Sequence, residues 1–208
     1  MEHTENAAVG CVIMASGRAV RFGSNKLLAD FGSAPLIVRA LDVTETPALA
    51  ARVVVTRSPE VAELACKAGV KAILHSLPGR NDTVRLGLEA LLSELPGLAG
   101  CIFLPGDQPL LRKESLRAMA RDFSALDEKE RAILRLGFRA EDGTERLGSP
   151  VLFGSRYFGA LCSLPEGKGG GVVIRRHPES VRAVYAARQE ELEDADTVEE
   201  LERLRKLL

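Results

Sequence analysis

Residues 9–26 read Val9-Gly10-Cys11-Val12-Ile13-Met14-Ala15-Ser16-Gly17-Arg18-Ala19-Val20-Arg21-Phe22-Gly23-Ser24-Asn25-Lys26. The stretch Val9–Ala15 is almost continuously apolar and is broken at Gly17. An apolar run without polar alternation marks a strand covered on both faces, as in a parallel sheet. The residues that follow are small or cationic, which allows two readings. One is a polyphosphate cradle, in which backbone N–H groups approach the ligand while Arg18, Arg21 and Lys26 supply charge. The other is a strand-to-helix turn with solvated charges. The stretch is not a P-loop, because the spacing from Gly17 to Gly23 does not fit G-x-x-x-x-G-K-[ST], and it is not G-x-G-x-x-G.

Working outward, the same unit repeats. Leu36–Val43 reads as a helix, Arg52–Thr56 as a second strand, and Ser58-Pro59 as an N-cap with proline in the first turn of a helix over Glu60–Ala68. Strands are expected at Val70–His75, Cys101–Leu104, Ala132–Phe138, Val151–Phe153 and Val181–Tyr185, and helices at Thr83–Leu95, Lys113–Leu126 and Tyr157–Leu161. Asp142-Gly143 marks a turn. Thr197-Val198-Glu199-Glu200 is a capping box that opens a closing helix lined by Leu201, Leu204, Leu207 and Leu208. Strands alternating with helices imply an α/β sandwich with a mainly parallel sheet, whose ligands bind beyond the carboxyl ends of the strands. That rule points to the loops after Ala15 and Leu104.

Composition excludes several classes. The chain has 208 residues, with 28 Lys+Arg against 29 Asp+Glu, so there is no cation excess for nucleic acid or an anionic membrane. Residues 1–208 are expected to form a single domain, with 1–6 as a flexible N-terminal tail. The start, Met1-Glu2-His3-Thr4-Glu5-Asn6, lacks a basic n-region, and no run of ~18 apolar residues offers a membrane span, so a cytoplasmic protein is expected. Cys11, Cys66, Cys101 and Cys162 form no C-x-x-C pair and read as buried reduced thiols. The acidic run of Glu190, Glu191, Glu193, Asp194 and Asp196 reads mostly as solvated surface. His75 reads as a packed or hydrogen-bonded histidine, and His177 as a helix terminus.

The second loop is Leu104-Pro105-Gly106-Asp107-Gln108-Pro109-Leu110. One acidic residue framed by prolines and a glycine suits a hard cation such as Mg²⁺, which takes few protein carboxylates and fills its shell with water and substrate phosphates. Equally, Asp107 could cap backbone amides in a turn. The two loops together resemble the MobA-like nucleotidyltransferase family. Ala15, Gly17, Arg21, Gly23 and Lys26 match its L-A-[AG]-G-x-S-x-R-x-G-x-x-K opening, with Met14, Ser16 and Ala19 departing. Gly106, Asp107 and Pro109 match G-D-x-P. The Gly79–Leu88 segment, with Thr83, looks like the family's nucleotide-facing helix start. Gly148–Phe153 resembles G-x-P-V-L-F, and Asp194–Leu201 resembles D-I-D-T-P-E-D-L.

The resemblance implies a three-layer, Rossmann-like (GT-A-like) α/β sandwich. Within the family the likeness is to the molybdenum cofactor cytidylyltransferase branch, which transfers CMP from CTP to the phosphate of molybdopterin and releases diphosphate. It implies catalytic roles for Arg21, Lys26 and Asp107, and nucleotide contacts from Ala15, Ser16, Gly17, Arg18, Gly23, Lys26, Gly79, Thr83 and Gly106. Mg²⁺ would lie on Asp107 and Asp194, with Asp196 the rival of Asp194. Ser16 stands where branches of the family differ in base choice, and its side chain favours CTP over GTP. Gly167 and Gly171 depart from the family's acceptor-side G-D-x-G-x-R. Two alternatives stay open: a nucleotidyltransferase for a sugar or polyol phosphate, and a non-catalytic nucleotide- or pterin-binding chaperone serving a molybdoenzyme client. Lys168, among the glycines, could bind a phosphate, or the stretch could be a mobile surface loop.

Overall fold

A computed structural model describes residues 7–17, 22 and 25–208. The first apolar run is strand β1, Val9–Ala15. It is followed by β2 (Ala51–Thr56), β3 (Lys71–Leu74), β4 (Gly100–Pro105), β5 (Ile133–Arg139), β6 (Glu145–Gly154) and β7 (Val181–Tyr185). Among the described residues these make one sheet in the order β3-β2-β1-β4-β6-β5-β7. All pairings are parallel except those of β6 with β4 and β5. The turn at Asp142-Gly143 joins β5 to β6. There Gly143 sits at φ +85°, where an L side chain is strained, and Asp142 accepts from the Thr144 N–H at 2.8 Å. The expected short strand at Val151–Phe153 is the end of the ten-residue β6.

The helices are α1 (Leu36–Thr44), α2 (Pro59–Lys67), α3 (Arg80–Glu94), α4 (Lys113–Ser124), α5 (Phe158–Cys162), α6 (Gly171–Arg176) and α7 (Val198–Arg205). Successive strand residues point to opposite faces, so the sheet divides the apolar residues into two cores. Cys11, Ile13, Val54, Ile102 and Leu104 pack with Leu36 of α1, Val61 of α2, Leu116 of α4 and Leu201 of α7. Val12, Val53, Val55 and Phe103 pack with Leu88 of α3, Leu161 of α5 and Val173 of α6. This is the expected three-layer α/β sandwich with a mainly parallel sheet. A Cβ at Gly87 of α3 would stand 3.0 Å from Val55 Cγ2 and closer still to both Val12 methyls, so glycine sets how near α3 lies to the sheet.

Several sequence expectations change. Glu191 is not solvated surface: it is buried, and accepts from Ser115 Oγ at 2.5 Å and the Arg112 N–H at 3.2 Å at the N-terminus of α4. A carboxylate there answers the helix dipole and unpaired amides. Leu207 and Leu208 lie beyond the end of α7 and are exposed. The glycine-rich stretch runs directly into α6, a helix the sequence pattern did not predict, although His177 ends it as the helix terminus expected. Among the described residues no helix is long and apolar enough to cross a membrane. Cys11, Cys66, Cys101 and Cys162 are free thiols, of which Cys11 and Cys101 are buried as expected, whereas Cys162 is half-buried and Cys66, near the end of α2, is exposed. The proposed tail, residues 1–6, lies outside the described residues.

Candidate active site

The carboxyl ends of β1 and β4 meet where Gly106 N–H donates to the Met14 carbonyl at 3.0 Å. Beyond this joint Asp107 projects toward Lys26, at the start of a single 3₁₀ turn over Lys26–Leu28 whose N-cap is Asn25. Lys26 is buried, and its Nζ lies 2.5 Å from Asp107 Oδ2 and 2.7 Å from Asp196 Oδ1. The loop that precedes α7 is held to the same place, because Ala195 N–H donates to the Asp107 carbonyl at 2.9 Å. One ammonium therefore joins three segments far apart in sequence.

The electrostatics follow from this crowding. Burial works to strip the Lys26 proton, but the charge and hydrogen bonds of Asp107 and Asp196 outweigh it and hold the amine above the ordinary lysine range. Asp194 is solvent-accessible, yet enough water is displaced around it, and Asp107 stands near enough, to push its carboxyl up to about 6. A hydrogen bond with the buried Gln108 works the other way. Among the described residues no three His, Cys, Asp or Glu side chains form a complete metal-ligand set. The donors are hard carboxylate oxygens with an ammonium already between two of them. That suits an ion such as Mg²⁺ or Mn²⁺, which takes the rest of its shell from water and phosphate oxygens.

These carboxylates border a cleft of about 450 Å³. Of the residues expected to contact a nucleotide, Ser16, Gly17, Gly79 and Thr83 line it, as do Asp107, Asp194 and Asp196. Ala15, Lys26 and Gly106 do not line it: Ala15 is in the core, Lys26 is held between Asp107 and Asp196, and a Cβ at Gly106 would come 3.1 Å from Ile37 Cδ1. Gly79 caps α3, its N–H donating to Asp82 Oδ2 at 3.0 Å. Arg18, Arg21 and Gly23 lie outside the described residues. The Ser16 hydroxyl bonds neither its own backbone nor open space: it donates to the Val55 carbonyl at 3.0 Å and lies 2.8 Å from His75 Nε2.

A second cavity of about 470 Å³ shares Met14, Arg80 and Ser149 with the first. Its walls are apolar, including Val84, Phe103, Phe153 and Ile174, and its polar side chains are Arg80, Arg135, Ser149, Lys168 and Arg175. Among the described residues no Asp or Glu lines it. Arg135 donates to the carbonyls of Leu147 (3.0 Å) and Gly148 (3.3 Å), and burial lowers its pKa. Sequence reasoning missed Arg80 and Arg135. An arginine in a β-strand looks like an outward-facing residue until the neighbouring strand is placed. Gly167 donates its N–H to Asn81 Oδ1 at 2.9 Å, which ties the glycine-rich stretch to the start of α3.

Comparison with known proteins identifies the family and the fold. The model of the MobA-like NTP transferase domain matches residues 11–181. The 3-deoxy-manno-octulosonate cytidylyltransferase of Polynucleobacter necessarius subsp. necessarius is 29% identical over 118 residues, which cover 55% of this chain and 45% of the relative. The chain thus spans about half the length of this curated relative. Rv0371c from Mycobacterium tuberculosis H37Rv superposes with a TM-score of 0.76 at 23% identity, covering 96% of this chain and 98% of that one. A manganese complex of the same protein superposes at 0.71 and 21% identity, covering 97% and 100%. CMP:2-keto-3-deoxy-manno-octonic acid synthetase complexed with CTP gives 0.77 at 16% identity, covering 97% and 98%. At these identities the structural likeness establishes the fold.

Proposed function

The chain belongs to the MobA-like NTP transferase domain family, and from that premise we propose that it is a cytoplasmic, divalent-metal-dependent cytidylyltransferase. It transfers CMP from CTP to the phosphate of molybdopterin, releases diphosphate, and serves a molybdoenzyme client. The observation that carries this reading is the Lys26–Asp107–Asp196 junction, flanked by Asp194, at the mouth of a cleft bordered by Ser16, Gly17 and Thr83. An oxygen of the acceptor phosphate attacks the α-phosphorus, the bond from that phosphorus to the β-phosphate oxygen breaks, and diphosphate leaves with the electron pair. No covalent enzyme intermediate is needed, so the protein's work is positioning and charge stabilisation.

Asp107 and Asp194 would hold Mg²⁺, with Asp196 beside them; a bound ion supplies charge neutralisation at the triphosphate. Lys26 contributes a second cation to the triphosphate, and Arg21 belongs to the same loop. Gly79 places the start of α3 on the nucleotide side of the cleft. The second cavity supports an anionic acceptor with an apolar body, because among the described residues it offers cations and aromatic walls but no carboxylate to bind sugar hydroxyls. That favours a phosphorylated pterin over a polyol phosphate. Diphosphate release from CTP, GTP, ATP and UTP, with molybdopterin or sugar phosphates as acceptor, tests the reading. CTP with molybdopterin is expected to be fastest. Turnover only with a sugar phosphate, or equal use of GTP, would overturn the acceptor or the base assignment respectively.

A further inference from the structure

At the root of the first loop, three strand ends are tied together by side chains. Ser16, buried directly after β1, places its hydroxyl between the Val55 carbonyl of β2 (3.0 Å) and His75 Nε2 beyond β3 (2.8 Å). The Arg57 guanidinium donates to the Ser16 carbonyl. Thr56 Oγ1 donates to the Ala15 carbonyl at 3.1 Å, and the His75 N–H to the Thr56 carbonyl at 3.1 Å. A serine hydroxyl has one proton, and a carbonyl can only accept. With that proton given to Val55, Ser16 Oγ must accept from Nε2–H, which fixes the imidazole tautomer. His75 Nδ1 is then a buried lone pair with no hydrogen-bond partner among the described residues.

We propose that His75 is a positioning residue for nucleotide binding: its Nε2–H holds the Ser16 hydroxyl against Val55 and so fixes the first loop where the loop enters the cleft. The inference rests on the assignment of that loop to the nucleotide, and adds that Ser16 shapes the base pocket by its fixed bulk and not by a hydroxyl offered to the base. It also makes the neutral imidazole the working form. Protonation would place an N–H on Nδ1 where no described residue accepts it. The charged groups facing the ring are Arg57 after β2 and Asp82 and Arg85 on α3. Burial, Arg57 and Arg85 depress its pKa, and Asp82 opposes them. Acid therefore loosens the loop root, and affinity for the nucleotide falls below the ordinary histidine range.

The test uses the full chain, CTP binding by calorimetry and steady-state kinetics. His75→Gln keeps a non-titrating donor within reach of Ser16, and His75→Leu removes the donor. His75→Leu is expected to raise KM and Kd for CTP about tenfold with kcat within twofold, a split expected of lost ground-state binding. His75→Gln should bind near the parental value at pH 8 and lack the parent's rise in KM toward pH 5.5. Ser16→Ala combined with His75→Leu should be no worse than the weaker single variant, since both break one bond. A parental KM in a folded His75→Leu protein, additive losses in the double variant, or an unchanged acid limb in His75→Gln would each overturn the proposal. If His75→Leu does not fold, the His75→Gln pH profile decides alone. Failure of the parent itself to bind any nucleoside triphosphate would instead overturn the nucleotide assignment.

Discussion

The two ends of the cleft solve opposite electrostatic problems. At the first, Asp107, Asp194 and Asp196 crowd together, and Lys26 is drawn in to neutralise two of them. At the second, Arg80, Arg135, Lys168 and Arg175 face a partly apolar cavity that no carboxylate lines among the described residues. The first end therefore calls for cations and the second for anions. A reaction between a metal-bound triphosphate and an anionic acceptor needs both, held apart until the substrates join them. The contrast can be broken by charge removal, because each end should fail in its own way.

The largest effect is expected at the acidic end. Asp107→Ala should lower diphosphate release by ~10³-fold or more, as loss of a metal-holding, charge-organising group does. Stability should change by about 1 kcal/mol or less, since the side chain stands at a loop and Asp196 still pairs with Lys26. Near-normal turnover at saturating Mg²⁺ would remove Asp107 from the site. Lys26→Ala comes next. It should weaken both CTP binding and turnover, together by ~1.5–3 kcal/mol, the usual worth of a charge-assisted contact. Unchanged affinity for CTP would mean that the ammonium serves the carboxylates alone.

Arg135→Ala tests the other end. It should raise KM for the acceptor by about tenfold, or ~1.4 kcal/mol, and leave the Kd for CTP unchanged, because Arg135 lines the second cavity and not the first. A matching loss of CTP affinity would show that the two cavities act as one pocket and erase the distinction.

The two ends also differed in how far they could be read from sequence. The acidic end is built from short contiguous motifs at strand ends. The continuous apolar run of β1 and the Pro-Gly frame around Asp107 signal a parallel sheet and its ligand edge locally. Even so, one of the two carboxylates that hold Lys26 is Asp196, which sequence weighed only against Asp194 for a metal; the pairing spans 170 positions and exists only once the segment before α7 docks. The basic end takes its cations from α3, β5, the glycine-rich stretch and α6, at positions that no motif specifies. Arg135 is a strand residue indistinguishable from a surface one, and glycines hid α6. Glu191 was misread for a related reason: an acidic run looks solvated, and only the position of α4 reveals one carboxylate as its cap.

The smallest effect concerns stability, and its sign separates a site arranged for a ligand from an ordinary ion-pair network. The Asp194 carboxyl is pushed up to about 6, against ~3.9 in an unfolded chain. Between those values the folded protein binds more protons than the unfolded one, so stability falls as pH rises through that window and stays lower above it. With chelator present, Asp194→Asn should therefore be more stable than the parent at pH 7. Because water reaches the group, the gain is discounted to ~1 kcal/mol, worth ~2–4 °C in Tm. At pH 4 the difference should shrink toward zero, since Asp194 is then largely protonated in the folded protein. Adding Mn²⁺ at pH 7 should reverse the order, raising the parent's Tm by binding its folded form while the variant gains less. A variant less stable than the parent at pH 7 without metal would place Asp194 among the carboxylates that already have their partner, and the first end of the cleft would lose its excess of negative charge.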